Sequence, residues 1–247
     1  MTLPQHLVPS LAGVTTGSTV TVEGDEAHHA VVVRRLRVGE QVTLADGTGS
    51  VVVGEVSATT KRAFDVTVTA VREVAEPTPA VTVVQALPKG ERGELAVEVL
   101  TEIGASRIVP WAAARSVAVW KGERAAKSHA KWQSTAREAA KQARRAWHPV
   151  VPPLATTAEV AGLVRSADLA VVLHEEAAEP LGAIAVPDVG DILVVVGPEG
   201  GLTEEEVGLF VAEGAVAVRL GEEVLRTSTA GVAAVAALLS RTGRWGA

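Results

Sequence analysis

A glycine-rich loop follows one of the most apolar runs of the chain, and its composition favours ligand binding. The run at 192–196 leads into residues 197–201 (GPEGG), and Thr203 with Glu206 has the spacing of a capping box that begins a helix. Small residues at the end of a strand let a ligand approach the backbone. The loop lacks the Gly-Lys-Ser/Thr of a Walker A motif and the Gly-x-Gly-x-x-Gly of a dinucleotide fold. A tight strand-to-helix turn without a ligand is the alternative interpretation.

A second loop carries a single cation among apolar and hydroxyl residues. Residues 220–231 read LGEEVLRTSTAG, in which Arg226 is the only basic residue and the hydroxyls that follow it can cap a helix. An arginine in such surroundings needs an acidic partner or an anionic ligand, because an unpaired charge away from water costs free energy. The sequence leaves open an ion pair with Glu199 or Glu222, and a role in binding an anion.

A third polar cluster, His174-Glu175-Glu176, follows the apolar run at 169–173. Parallel strands of an α/β sheet bind ligands at their carboxyl ends, so we expect the three loops to form one pocket. Other chemistries fit less well. His28 and His29 are adjacent and point differently, and the His-x-x-x-His, His-Glu-x-x-His and Gly-x-Ser-x-Gly patterns are absent. The sequence therefore predicts neither a metal hydrolase nor a serine esterase, and no metal.

The segments that must position these loops alternate between strand and helix patterns. Short β-branched runs predict strands at 80–87, 107–111, 169–173, 192–196 and 215–220, and helical spacing predicts helices at 92–103, 125–147, 204–213 and 229–239. This alternation is typical of a parallel sheet covered on both faces. Before residue 75, period-two alternation with turn signals predicts a small β-barrel. We expect an α/β protein with two domains, 1–75 and 80–247.

The net charge of −6 hides a strong polarity along the chain. Residues 121–149 hold eight basic residues against two acids, whereas residues 168–223 hold thirteen acids against one arginine. On a helical wheel the basic residues of 125–147 lie opposite an alanine and tryptophan face. These residues and an earlier arginine cluster predict contacts with a polyanion. The alternative for the helix is an ordinary solvated face, and the alternative for the earlier cluster is neutralisation by the acids at 23–26. The residues are Arg34, Arg35, Arg37, Arg137, Lys141, Arg144 and Arg145.

Composition excludes further classes. The chain has no cysteine, which excludes disulfides, thiol nucleophiles and Cys-ligated metals and fits a reducing compartment. The longest clean apolar run, at 230–239, is too short to span a membrane, and the first residues do not resemble a signal peptide. We expect a cytoplasmic protein without a membrane partner.

These motifs together resemble one family across nearly the whole chain. The GPEGG loop, followed about twenty residues later by LGEEVLRTSTA, is similar to the SPOUT class of RNA methyltransferases, and the fuller pattern resembles 16S rRNA uracil-N3 methyltransferases of the RsmE type. The supporting segments are 28–40 (HHAVVVRRLRVGE), 87–90 (LPKG), 98–110 (EVLTEIGASRIVP) and 139–149 (AAKQARRAWHP). The chain departs from the family at 4–8 (PQHLV), where an arginine and aromatic residues are usual.

The resemblance implies a PUA-like β-barrel followed by a SPOUT domain with a deep trefoil knot at about 168–240. It implies S-adenosyl-L-methionine (SAM) as methyl donor, 16S rRNA or the small ribosomal subunit as partner, a homodimer through the knot, and methylation of uridine N3. The residues expected to bind SAM are Leu173, His174, Glu175, Val196, Gly197, Glu199, Gly200, Gly201, Leu220, Gly221, Val224, Leu225 and Thr227.

The chemistry of uridine assigns a role to Arg226. N3 carries a proton at neutral pH, so a base, or a cation near the ring oxygens, is needed. Arg226 is the expected catalytic residue, either stabilising the developing uracil anion or holding the target phosphate, and Glu199 and His174 are candidate bases. The competing functions are a SPOUT ribose 2′-O-methyltransferase and a non-catalytic RNA-binding or ribosome assembly protein.

Overall fold

The computed structural model describes residues 3–246 and divides the chain into two compact units. Unit 1 comprises residues 1–76 and 141–148, and unit 2 comprises residues 77–140 and 149–247. The outer ends of the expected domains, 1–75 and 80–247, lie outside the described residues. Those bounds stay a prediction. The compact units differ from them in one respect, because segment 141–148 groups with the N-terminal residues.

Unit 1 is built on a five-stranded sheet with β1 and β2 at its edges. In chain order its elements are β1 (Gln5–Leu7), β2 (Thr19–Glu23), α1 (Gly24–His28), a π-helical turn (His29–Val33), β3 (Gln41–Ala45), β4 (Ser50–Thr59) and β5 (Ala63–Glu73). The strand order is β1-β3-β4-β5-β2, and only the β1–β3 pair is parallel. Phe64, Val66 and Val68 of β5 are buried in its core, as their period-two alternation predicts.

Unit 2 is an α/β layer structure. Its elements are β6 (Ala80–Ala86), α2 (Arg92–Ile103), β7 (Arg107–Trp111), α3 (Glu123–Gln142), α4 (Thr157–Ser166), β8 (Leu169–Leu173), β9 (Glu179–Pro180), a 3₁₀ turn (Leu181–Ala183), β10 (Asp191–Val196), α5 (Glu204–Ala212), β11 (Val216–Arg219) and α6 (Thr227–Leu239). No helix of the described chain is both long and apolar enough to cross a membrane.

The sheet of unit 2 has the order β7-β6-β10-β8-β11-β9, and every adjacent pair is parallel. Successive residues of β10 enter different cores: Ile192 and Val194 pack with α2 and α6, whereas Leu193 and Val195 pack with α4 and α5. Both faces are therefore covered, and the predicted parallel sheet is confirmed. Because all the strands run the same way, the loops after β8, β10 and β11 leave the same edge.

The predicted helix at 125–147 is wrong at its C-terminal end. α3 ends at Gln142, and Arg144 adopts a left-handed conformation with φ of 54°. Trp147 donates its indole N–H to the Val74 carbonyl at 2.8 Å, and backbone bonds join Gly49 to Ala146 and His148 to Gly47. These bonds within unit 1 replace the helical hydrogen bonds that a longer α3 would make. The helical wheel also misplaced residue 143, an alanine predicted to pack but exposed here.

A buried charge cluster fixes Lys141 within unit 1. Lys141 Nζ lies 2.7 Å from Glu26 Oε1, and His6 Nδ1 lies 2.9 Å from the same oxygen. The side chains of Lys141 and Glu26 are only 11% and 14% exposed, so water screens the pair weakly. Burial alone would raise the pKa of Glu26, but hydrogen bonds from His6 and Lys141, with the lysine charge, lower that pKa to about 2.

Replacing Glu26 should destabilise the protein in a pH-dependent way. We expect Glu26→Gln to lower the free energy of unfolding at pH 7 by about 2 kcal/mol, because it leaves Lys141 buried without its partner. The pKa of Glu26 is lowered in the folded state, so its stabilisation is present above about pH 4.5 and is lost as the pH falls towards 2. Urea unfolding at pH 7 and pH 3 measures both effects.

Glu138→Gln is the matched control, since Glu138 is an exposed glutamate of α3, the helix that carries Lys141. It should change the unfolding free energy by less than about 0.5 kcal/mol at either pH. A Glu26→Gln variant whose deficit is equally large at pH 3 and pH 7 would contradict this account of the cluster.

Candidate functional site

A cleft of about 630 Å³ opens at the carboxyl edge of the unit 2 sheet. The loops after β8, β10 and β11 form most of its wall, as their position after parallel strands predicts. The structure brings together all fourteen residues expected to bind SAM or act in catalysis, which are Leu173, His174, Glu175, Val196, Gly197, Glu199, Gly200, Gly201, Leu220, Gly221, Val224, Leu225, Arg226 and Thr227. Their roles stay predictions.

Two of the loops are joined directly at the bottom of the cleft. The Thr227 hydroxyl donates a hydrogen bond of 2.6 Å to the Gly197 carbonyl. Thr227 is the first residue of α6, and Gly197 is the first residue after β10, so the bond holds the start of a helix against the end of a strand. Thr227 is buried, which shields this bond from competition by water.

Arg226 provides an unpaired positive charge on the cleft wall. It is exposed, and it occupies the N-cap position of α6, where its carbonyl accepts hydrogen bonds from the Thr229 and Ala230 N–H groups. Within residues 3–246 its guanidinium makes no ion pair, so the alternative of a partner in Glu199 or Glu222 is not realised. An arginine in this state is available to an anionic ligand.

Glu199 is engaged elsewhere. Its Oε1 accepts a hydrogen bond of 3.1 Å from the Lys89 backbone N–H and one of 3.3 Å from Arg92 Nη1. These contacts tie the loop after β10 to the segment between β6 and α2. The second candidate base, His174, accepts the Glu176 N–H at its Nδ1, with a distance of 3.2 Å. One atom of each candidate is therefore already occupied by a donor.

The glycines of the GPEGG loop make room mainly for neighbouring protein atoms. The sequence had suggested that they make room for a ligand. A Cβ on Gly197 would lie 3.0 Å from Leu202 Cγ, and a Cβ on Gly200 would lie 3.2 Å from Arg115 Cβ. Gly201 has a φ of 71°, which side chains rarely adopt. Arg115 also donates from Nη1 to the carbonyls of Gly200 and Leu202 at 3.2 and 3.1 Å. The loop is thus compact and held from outside.

Sequence reasoning missed two arginines of the cleft, Arg92 and Arg115. Both had a usable signal. Arg92 lies just after the LPKG segment, and Arg115 lies four residues after β7, whose carboxyl end is at the same edge of the sheet. The segments after β6 and β7 leave the same edge of the sheet as the loops after β8, β10 and β11. Arg92 and Arg115 could therefore have been predicted from the ends of these two strands.

The expected RNA-binding residues fall in both units. Arg34, Arg35 and Arg37 of unit 1 are exposed, as are Arg144 of unit 1 and Arg137 of unit 2. Lys141 differs from the expectation, because its charge is paired with Glu26 and buried. Arg145 is partly buried, and its carbonyl accepts a hydrogen bond from Gln5 Nε2. As for metals, no group of three His, Asp or Glu side chains in the described part of the chain could hold an ion.

Removing the Arg115 side chain should loosen the GPEGG loop. We expect Arg115→Ala to raise hydrogen-exchange rates in residues 197–202 by about tenfold, since two hydrogen bonds to their carbonyls are lost. Arg165→Ala is the control, because it removes an arginine paired with Glu213 on α4 and α5. Unchanged exchange at 197–202 in Arg115→Ala would refute the restraining role of Arg115.

Two family models and several relatives match this chain. A model described as an RNA methyltransferase domain matches residues 75–239, and a model of the RNA methyltransferase PUA domain matches residues 22–69. The N-terminal part is therefore PUA-like and precedes an α/β domain.

The similarity extends over nearly the full length of the relatives. The chain is 45% identical to Ribosomal RNA small subunit methyltransferase E of Mycobacterium bovis over 94% of this chain and 90% of the relative, and 32% identical to that of Bacillus subtilis over 91% of each. A crystal structure of Ribosomal RNA small subunit methyltransferase E from Neisseria gonorrhoeae, bound to S-adenosyl methionine, matches with a TM-score of 0.86 and 29% identity, covering 97% of this chain and 98% of that one. The chain belongs to the ribosomal RNA small subunit methyltransferase E family.

Proposed function

We propose that this protein transfers the methyl group of SAM to N3 of a uridine in 16S rRNA. Membership of the family and the SAM-bound neighbour support an rRNA methyltransferase that uses SAM. The observation that carries the site assignment is the unpaired Arg226 in a cleft lined by the three loops after β8, β10 and β11. Family resemblance is the support for uridine N3 as the target atom.

The cleft fits SAM in size and chemistry. Its volume of about 630 Å³ lies within the range of cofactor sites. Exposed carboxylates of the loops after β8 and β11 suit the positive charges and ribose hydroxyls of the cofactor, and these are Glu175, Glu176, Glu222 and Glu223. Backbone groups of Gly197, Leu220 and Leu225 suit its adenine ring. When bound, SAM supplies an activated methyl group on a sulfonium.

The chain's own residues then have two tasks. Arg226 places a full positive charge where the uracil oxygens gain negative charge as N3 loses its proton. The compact loops hold the ring and exclude water, and such positioning supplies much of the rate when the methyl group is already reactive. Glu199 Oε2 is the side-chain atom that we propose as proton acceptor. His174 accepts the Glu176 N–H at Nδ1, so a neutral His174 ring carries its own proton on Nε2 and cannot accept one there. The absence of cysteine excludes a thiol adduct on the ring, so transfer is direct.

The finer architecture belongs to the same proposal. The connection from β11 to α6 passes the ends of β8 and β10, since β11 pairs with β8 while Thr227 bonds Gly197. We propose that the chain threads through a loop in this region and forms the trefoil knot that the family resemblance implies. Val224 and Leu225, beside Arg226, are 75% and 41% exposed, which suits coverage by the second protomer of a homodimer. An rRNA substrate implies that the enzyme acts in the cytoplasm.

The exposed arginines are the proposed RNA contacts. Arg34, Arg35, Arg37, Arg137 and Arg144 carry charges available to phosphates, because they are exposed and make no ion pair among residues 3–246. We leave Lys141 outside this set, since it neutralises Glu26.

The role of Arg226 is tested by separating SAM binding from methyl transfer. We expect Arg226→Ala to abolish transfer to the small ribosomal subunit while the Kd for SAM, measured by calorimetry, changes less than about fivefold, because the charge acts on the uracil. Arg219→Ala serves as control, removing another exposed arginine of the cleft wall. Full turnover by Arg226→Ala would show that Arg226 has no catalytic role. A wild-type protein that binds no SAM would contradict the proposed function.

The RNA contacts are tested by salt dependence. Each phosphate contact adds roughly 0.7 to 0.9 to the slope of log K against log salt. The double variant Arg137→Gln/Arg144→Gln should therefore flatten the slope for rRNA binding by about 1.4 to 1.8. Arg165→Gln, which removes an arginine already paired with Glu213, should leave the slope unchanged. An unchanged slope in the double variant would identify these two arginines as an ordinary solvated surface.

A further inference from the structure

A fully buried glutamine, Gln85, lies directly beneath the cleft. It is the third residue of β6 on the face that also presents Val81 and Val83, and all three side chains are 0% exposed. Val81 and Val83 pack in the apolar core formed with α2 and α6, so a third valine or leucine would suit this position. An amide there is an exception to the apolar pattern of this strand face.

The hydrogen bonds of Gln85 have a fixed direction at both ends. Its side-chain nitrogen lies 3.2 Å from the Ala86 carbonyl and 3.0 Å from Thr227 Oγ1. The Ala86 carbonyl only accepts, so the atom beside it is the amide nitrogen and donates. Thr227 therefore accepts from Gln85 and gives its own proton to the Gly197 carbonyl, at 2.6 Å. We name this chain, Gln85 to Thr227 to Gly197, the Gln85 relay.

A glycine in α6 makes the relay geometrically possible. Gly231 follows Thr227 by four residues and so lies on the same face of the helix. A Cβ on Gly231 would lie 3.1 Å from Leu100 Cδ2 and 3.3 Å from Val196 Cγ2. Glycine in a helix interior is destabilising relative to alanine, so its presence here calls for a reason. Here it allows α6 to approach the sheet closely enough for the Thr227 hydroxyl to reach both of its partners.

The relay joins three segments, and two of them line the cleft. Gln85 is next to the end of β6, Gly197 begins the GPEGG loop, and Thr227 follows Arg226 at the start of α6. Gly197, Arg226 and Thr227 line the cleft, whereas Gln85 does not. Fixing the Thr227 hydroxyl thus sets the separation between the GPEGG loop and the start of α6. It thereby also fixes the backbone of Arg226, the residue before Thr227.

We propose that Gln85 is a positioning residue for SAM binding and methyl transfer, acting through Thr227 on the GPEGG loop and Arg226. The expected effect on SAM binding and methyl transfer rests on the proposed function. The expected effect on the two loops rests on the Gln85 relay alone. Stability alone is a poor explanation for the amide. Its Oε1 has no hydrogen-bond partner in the described structure, and a buried unsatisfied acceptor lowers the stability of a fold.

The test is Gln85→Met, which keeps the length of the side chain and removes its donor. The melting temperature should equal or exceed that of the wild type, because an unsatisfied buried acceptor is removed as well. Hydrogen exchange should rise about tenfold in residues 197–201 and 224–230. The Kd for SAM should rise about fivefold, and kcat at saturating SAM should fall about tenfold, since both walls lose their fixed separation.

Two further variants separate positioning from general destabilisation. Thr227→Val cuts the relay at its centre, so Gln85→Met should add no further loss in that background, as expected for one coupled unit. Thr101→Val removes another buried hydroxyl from α2 and should lower the melting temperature while leaving the Kd for SAM within twofold.

Each outcome decides the proposal. Wild-type exchange, Kd and kcat in Gln85→Met would overturn it, and so would losses that accompany a fall in melting temperature like that of Thr101→Val. If the wild-type protein binds no SAM or transfers no methyl group, the proposed function fails. The exchange rates in Gln85→Met then still decide whether the relay holds the two loops together.

Discussion

The parallel alignment of β8, β10 and β11 is the constraint on which the cleft depends. Because every adjacent strand pair of the unit 2 sheet is parallel, each of these strands delivers its following loop to the same edge. Convergence alone would leave three separate flexible loops. The hydrogen bond from Thr227 to Gly197 joins two of them, and the buried amide of Gln85 donates to the same hydroxyl and so holds it in place.

The remaining contacts of the GPEGG loop have the same effect. Arg115 binds the carbonyl of Gly200 in the loop and that of Leu202 just after it, and Glu199 accepts hydrogen bonds from Lys89 and Arg92. The loop is therefore bound from three sides by the protein. Such preorganisation suits a reaction in which the methyl donor is reactive by itself and the protein must orient the acceptor and stabilise its charge. Arg226 lines the cleft and makes no ion pair among residues 3–246, so its charge is free for that purpose.

Much of this arrangement could be predicted from the sequence because it follows from local patterns. β-branched runs separated by helices predict the parallel sheet, and residues at 173–175, 196–201 and 220–227 then share one edge. The signals in these segments are short-range: capping residues, glycines and strand ends. They indicate residues of these three loops that line the cleft, but not Arg92 and Arg115, without any knowledge of long-range contacts.

The rest depends on contacts between distant parts of the chain. α3 ends at Gln142 because Trp147 and His148 bond to residues about 75 to 100 positions away in sequence, and helical periodicity carries no trace of them. Lys141 is paired for the same reason, with Glu26. The role of Gln85 depends on a hydroxyl 142 residues later. In each case the outcome is decided by a tertiary contact that the local sequence pattern does not contain.

The central claim is that the cleft directs a methyl group from SAM to N3 of a uridine. Its most direct test is to incubate the protein with small ribosomal subunits that lack the modification and SAM carrying a labelled methyl group, then digest the rRNA to nucleosides and identify the labelled one by mass spectrometry. The account predicts label in 3-methyluridine alone. Label on a ribose 2′-oxygen, on another base, or on no nucleoside would contradict it.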